Sequence, residues 1–131
     1  MIEHKISITY KSFDIDGFSK KNINCDLDYF NSQIIESIIL DFPIQTVICT
    51  SDENDIRTVV CGGEIISTIK NYMSGCFELV NLELLSEYNG MRLSDLPYNI
   101  QRRLGDFLIK FCIINPSTDK NAIDSIINRN K

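Results

Sequence analysis

The run VVCGGEIISTIK, Val59 to Lys70, admits few local structures. Val59-Val60-Cys61 is β-branched and apolar, as a strand requires, and Gly62-Gly63 stops it. From Glu64 the apolar positions change period. Ile65, Ile66, Ile69 and Tyr72 or Met73 share one face of a helix over Glu64 to Met73, which Ser74-Gly75 closes. A strand turning into a helix over two glycines is the local form of a phosphate-binding corner, because the first helical amides and the helix dipole point at an anion. It is equally the local form of a tight turn with no ligand, and Cys61-Gly62-Gly63-Glu64 contains no Lys or Arg to pair with phosphate.

The flanking elements follow from the same periodicities. Lys5 to Tyr10 alternates apolar and polar residues as a half-buried strand does, and Asp14 to Lys21 reads as a turn. Leu27, Phe30, Ile34, Ile35, Ile38 and Ile39 fall at helical intervals, with Asp26 placed to cap, Phe42-Pro43 ending the run and Ile38 facing the core. Ile44 to Cys49 and Ile56 to Cys61 predict a hairpin with its polar tip at 50–55. Phe77 to Leu82 reads as a strand and Asn89-Gly90 as a tight turn. Ser94-Asp95-Leu96-Pro97 opens a helix that buries Ile100, Leu104 and Phe107. Leu108 to Ile114 is apolar enough for a central strand. After Asn115-Pro116-Ser117, a last helix over Thr118 to Asn130 turns Ala122, Ile123, Ile126 and Ile127 inward, with Ser117 or Thr118 as its cap.

Strand pairs mixed with helices indicate an α+β fold, and 131 residues build one core rather than two, so residues 1–131 read as a single domain. No apolar run approaches the ~20 residues that span a bilayer, and the start MIEHKISITYK lacks the basic-then-apolar order of a secretory leader; a cytoplasmic protein is expected. The five cysteines form no Cys-x-x-Cys pair, and four sit in apolar runs as free core thiols. His4 is the sole histidine and has no ligand-spaced neighbour, so no metal is expected; it reads as an exposed terminal residue.

The net charge of −5 argues against a broad duplex-binding surface. It is unevenly spread: residues 1–100 carry seven Lys/Arg against fifteen Asp/Glu, and residues 101–131 carry six against three. The basic end reads as a solvated last helix.

Several segments together resemble the N-terminal domain of GmrSD-type restriction proteins, a ParB/sulfiredoxin-like family of bacteria and phages. Ser32 to Pro43 (SQIIESIILDFP) is similar to the family's helix, and Ile44 to Ile48 to the strand after it. Asn89-Gly90, then Leu93-Ser94-Asp95-Leu96-Pro97 and Ile100-Gln101-Arg102-Arg103-Leu104, resemble the family's "Asn-Gly, Phe-x-Asp-Leu-Pro, Leu-Gln-Arg-Lys-Leu" stretch. Ile113 to Asp119 and Ile126 to Asn130 are similar to its final strand and helix. The resemblance, over roughly residues 12–130, implies a ParB/sulfiredoxin-like domain with a mixed sheet flanked by helices.

It also implies a nucleotide corner reading Asp-Gly-Gln-Gln-Arg, where this chain has Cys61-Gly62-Gly63-Glu64-Ile65. Only Gly62 is kept, and Glu64 brings negative charge where phosphate needs donors and positive charge. The family's Phe-Gln-Arg corresponds to Phe18-Ser19-Lys20, followed by Lys21; lysine keeps charge but lacks the planar fork of Arg. Two eroded corners, and a chain that ends where large relatives continue into a nuclease domain, imply a non-catalytic binding or regulatory protein with no cofactor. The lineage implies one carried by a phage or mobile element and acting on a defence or nucleic-acid complex.

No other carboxylate set makes an active site. Asp14, Asp16, Asp26 and Asp28 flank a turn and a helix start, where Asp caps. Asp52, Glu53 and Asp55 at the hairpin tip lack calcium-loop spacing and offer instead an acidic face for a basic protein partner. Two alternatives remain: a small NTP- or metal-dependent nuclease or NTPase with a rearranged corner, and a nucleic-acid-binding protein using Lys20, Lys21, Arg102, Arg103 and Lys110.

Overall fold

The computed structural model describes residues 4–18, 23–24 and 28–131. Among them, strands β1 (Ile8–Asp14), β2 (Ile23–Asn24), β3 (Val47–Ser51), β4 (Arg57–Cys61) and β5 (Leu108–Ile114) form one sheet in the order β1-β5-β3-β4-β2. The β1–β5 and β3–β4 pairs are antiparallel and the β5–β3 and β4–β2 pairs parallel, so the sheet is mixed. With helices α1 (Ile15–Phe18), α2 (Ser32–Ile39), α3 (Gly63–Met73), α4 (Tyr98–Asp106) and α5 (Lys120–Arg129), the chain is a small α+β domain.

Period-two alternation sorts the sheet into two faces. Val47, Cys49, Ile109, Phe111 and Ile113 enter the main core with α2, α3 and α4, and Ile48, Cys61, Cys112 and Ile114 make a smaller cluster against Ile123, Ile126 and Ile127 of α5. The apolar run of β5 fits its inner place between β1 and β3, because both of its faces are covered. The helix after the two glycines lies where the sequence pattern puts it, and the hairpin forms with its second strand in place, but its first strand is Val47–Ser51 rather than Ile44 to Cys49.

Several boundaries differ from expectation, each because a side chain takes a backbone group. The first strand runs from Ile8, not from Lys5, because Ser7 is held by Thr118: its N–H donates to Thr118 Oγ1 at 3.0 Å, and that hydroxyl donates to Ser7 O at 2.8 Å. Thr118 is therefore not the cap of α5, whose N-cap is Asp119. His4 is exposed, as expected, and its Nδ1 lies 2.5 Å from Asp119 Oδ2. The Asp14 turn becomes the short α1, with Asp14 Oδ1 accepting Gly17 N–H at 2.7 Å. Helix α2 begins at Ser32 with Asn31 as N-cap, its Oδ1 accepting Gln33 N–H. Asp26 and Leu27 lie outside the described residues, as does Cys25; the other four cysteines are free thiols, three buried and Cys76 exposed.

The largest difference is the stretch Phe77 to Leu82, which is not a strand. Asn81 adopts φ +54, and the amides go to side chains instead of a ladder: Val80 N–H to Ser32 Oγ at 3.0 Å and Leu82 N–H to Asn89 Oδ1 at 3.0 Å. The Asn-Gly turn closes this stretch, with Gly90 at φ +85 and Leu79 N–H donating to Met91 O. Immediately downstream, the amides of Glu83, Leu84 and Leu85 donate to the Glu36 carboxylate at 3.3, 2.8 and 2.9 Å.

Glu36 is only 5% exposed. Burial alone would push its carboxyl up, yet the amides of Leu85, Leu84 and Glu83 together hold it below the ordinary carboxylate value. The unfolded-state value is ~4.3, so this stabilisation is fully present above that pH and is lost as pH falls through the lower folded-state value. Glu36→Gln is expected to cost ~1.5–3 kcal/mol at neutral pH and to flatten the acid limb of stability against pH, read from urea midpoints. Ile38, 1% exposed between α2 and the sheet, should lose ~2–5 kcal/mol on Ile38→Ala. An unchanged melting temperature in that variant would contradict the packing described.

Candidate functional site: the glycine corner

At the end of β4 the chain turns through Gly62, the N-cap of α3, at φ +88. A Cβ here would lie 3.2 Å from Val47 Cγ2 and 3.3 Å from Val47 Cα. Backbone conformation and the contact with β3 both call for glycine, so the residue is explained without a ligand. The first turn closes on Gly62 O, which accepts the N–H groups of Ile65 at 3.1 Å and Ile66 at 3.3 Å.

The electrostatics of the corner are supplied from within. Glu64 stands exposed in the first turn of α3, where a carboxylate is favoured by the dipole by ~0.3–1 kcal/mol. Its Oε1 accepts a hydrogen bond from Asn31 Nδ2 at 2.8 Å. The negative charge that a bound phosphate would bring to this helix end is thus already present as a side chain. Cys61, on the α5 side of the sheet, has its thiol 4.0 Å from Ile127 O and faces protein.

The second corner is not open to the same reading, because Ser19, Lys20 and Lys21 lie outside the described residues; Phe18 ends α1. At the hairpin tip the three acids have different duties. Asp52 Oδ1 accepts the N–H groups of Asn54 at 2.8 Å and Ile56 at 2.9 Å, so this carboxylate builds the turn. Asp55, at φ +62, stands 3.5 Å from Arg57. Glu53 is exposed at the tip.

Lys20 and Lys21 lie outside the described residues, and the other three basic candidates have different settings. Arg102 pairs with Asp106 at 3.8 Å along α4, and Arg103 Nη1 donates to Ile39 O at 3.0 Å, closing the end of α2. Lys110 shares its strand row with Cys112 and Ile114, and lines a shallow cleft with Asp41 and Asp106. Among the described residues, no group of three or more His, Cys, Asp or Glu side chains is placed to hold a metal ion. No helix there is long and apolar enough to cross a membrane.

Two features escaped sequence reasoning. Arg57, 8% exposed, lies 5.7 Å over the Phe13 ring beside the Asp55 pair, and its Nε has no hydrogen-bond partner. Its place in a hairpin strand was visible; that it points inward was not. Burial pushes the thiol of Cys49 up to about 11, with Arg57 opposing, which leaves that cysteine unreactive at neutral pH. The other is a cleft of about 570 Å³ between the sheet and α5, lined by residues including Tyr10, Gln45 and Asn130; Gln45 also packs beside Gly62. Compared with known proteins, the chain matches no family model, no curated protein and no solved structure.

Proposed function

We propose that this domain is a non-catalytic binding or regulatory module whose glycine corner no longer takes a nucleotide. The observation that carries the reading is Glu64 in the first turn of α3, bonded to Asn31, where a phosphate would need donors. Gly62 has a packing reason of its own, and Arg103 is engaged at the end of α2, while Arg102 is exposed beside Asp106. The mixed sheet and the strand-glycine-helix order support a ParB/sulfiredoxin-like fold of the GmrSD N-terminal kind. A cytoplasmic role on a defence or nucleic-acid complex, in a phage or mobile element, extends that resemblance.

The partner this reading favours is a protein with a basic surface, met by the acidic hairpin tip. Glu53 is the acid to present, since Asp52 holds the turn and Asp55 lies beside Arg57.

Purified protein with magnesium is expected to show no turnover of ATP, GTP or DNA above background, because the corner lacks the donors that stabilise a transferring phosphoryl group. Turnover that disappears in Glu64→Ala would overturn the proposal. At the hairpin, Glu53→Lys should slow association with a basic partner and flatten its dependence on ionic strength while leaving the fold intact. Asp52→Ala should instead lower stability by ~0.5–1.5 kcal/mol for each turn hydrogen bond lost. Stopped-flow association across a salt series and denaturant midpoints separate these two effects.

A further inference from the structure

β1 is an outer strand of the sheet, and its hydrogen-bonding phase is fixed at both ends. Asn115 N–H donates to Ser7 O at 2.9 Å, and Ile15 N–H donates to Phe107 O at 3.0 Å. The register between runs unshifted from Ile8 opposite Ile114 to Asp14 opposite Leu108. In an antiparallel ladder the hydrogen-bonded pairs alternate, so the odd-numbered residues of β1 exchange bonds with β5. The N–H and C=O groups of Ile8, Tyr10 and Ser12 therefore point out of the sheet. Among the described residues, no backbone bond outside the ladder reaches these three.

Such an edge is ordinarily blunted by proline, a bulge, inward charge or charged side chains such as lysine, and of these β1 carries only Lys11 and the terminal Asp14. β1 (ITYKSFD) has no proline and no register shift. Its two rows of side chains differ in character. Ile8 packs toward α5, and Tyr10, 75% exposed, follows it on the same row. Together with Ile6, 58% exposed, they wall two adjoining clefts of about 570 and 430 Å³ that meet at Ile126 of α5. The opposite row presents exposed Lys11.

The geometry points to β1 as a docking edge for an extended segment of a partner protein that alternates apolar and acidic residues. Its backbone would complete the outward N–H and C=O groups of Ile8, Tyr10 and Ser12, as an added strand does. Its apolar side chains would lie on the α5 side beside Ile8 and Tyr10, and its acidic ones beside Lys11, an attractive cross-strand pairing. A second copy of this chain fits less well. Two β1 strands overlapped along their whole length place Lys11 opposite Lys11. The inference concerns a different surface from the glycine corner and stands whatever the corner binds.

The probe is an octapeptide of alternating Val and Asp, with a Val/Lys octapeptide as control, followed by fluorescence anisotropy and by amide exchange. The Val/Asp peptide is expected to bind and to slow exchange at Ile8, Tyr10 and Ser12, whereas Thr9 and Lys11 are already slow without it. Ser12→Pro removes one outward donor and leaves the β1–β5 ladder bonds in place, and it should weaken binding about tenfold or more. Lys11→Glu, which requires nothing of the backbone, should reverse the preference between the two peptides even if the proline variant folds poorly. The proposal is overturned if millimolar Val/Asp peptide protects none of the three amides, or if both peptides bind equally. It is also overturned if light scattering shows a dimer that Ser12→Pro dissolves, for then a second copy covers the edge.

Discussion

The carboxylate of Glu36 is the interaction on which the helical layer depends. Between α3 and α4 the chain runs through residues 74–97 without a strand, yet it contributes Leu79, Leu82 and Leu96 to the main core. A segment with no ladder of its own must find partners for its amides elsewhere, because an unpaired buried N–H costs about 1–3 kcal/mol. Glu36 takes three consecutive amides, and Ser32, one turn earlier on the same helix, takes Val80. The polar edge of α2 thus does for this segment what a neighbouring strand would do in a sheet. On the far side, the Tyr72 hydroxyl of α3 donates to Met91 O at 3.2 Å, so the segment is held between two helices.

The same use of side chains on helix ends governs the glycine corner. A helix N-terminus attracts negative charge. Here the charge belongs to the chain, and the bond from Asn31 keeps it in place. Gly62 supplies a close approach to β3 and a left-handed turn, both structural needs. What looks in the sequence like a ligand loop is, in the fold, a joint between strand and helix.

Much of the fold was legible in the sequence wherever burial imposes a period. β5 reads as an unbroken apolar run and α3 as a strict helical stripe after two glycines, and each lies where its pattern puts it; the hairpin also forms, with its first strand shifted toward the tip at Val47–Ser51. Reading failed where a distant side chain replaces a backbone partner. Phe77 to Leu82 has the composition of a strand, but its amides are claimed by Ser32 and Asn89, and no local pattern announces such a donor–acceptor pair. The start of β1 and the cap of α5 shifted for the same reason, through Ser7 and Thr118, which are 111 positions apart. At the candidate site the glycines and Glu64 were visible, whereas the Asn31 contact and the inward turn of Arg57 depend on tertiary placement.

Asn31 carries a consequence for how this surface can change by mutation. Its Oδ1 caps α2 by accepting Gln33 N–H, its Nδ2 donates to Glu64 of α3, and its own N–H donates to Thr68 Oγ1 at 3.2 Å. One amide side chain therefore fixes the N-termini of two helices at once. Replacing Glu64 by a cation, the simplest step toward an anion-binding corner, would set that cation against the Asn31 NH₂ group. Turning the amide over to greet it would take the acceptor away from Gln33 and uncap α2. The two positions are coupled through one amide, so substitutions at Asn31 and Glu64 are not expected to be additive.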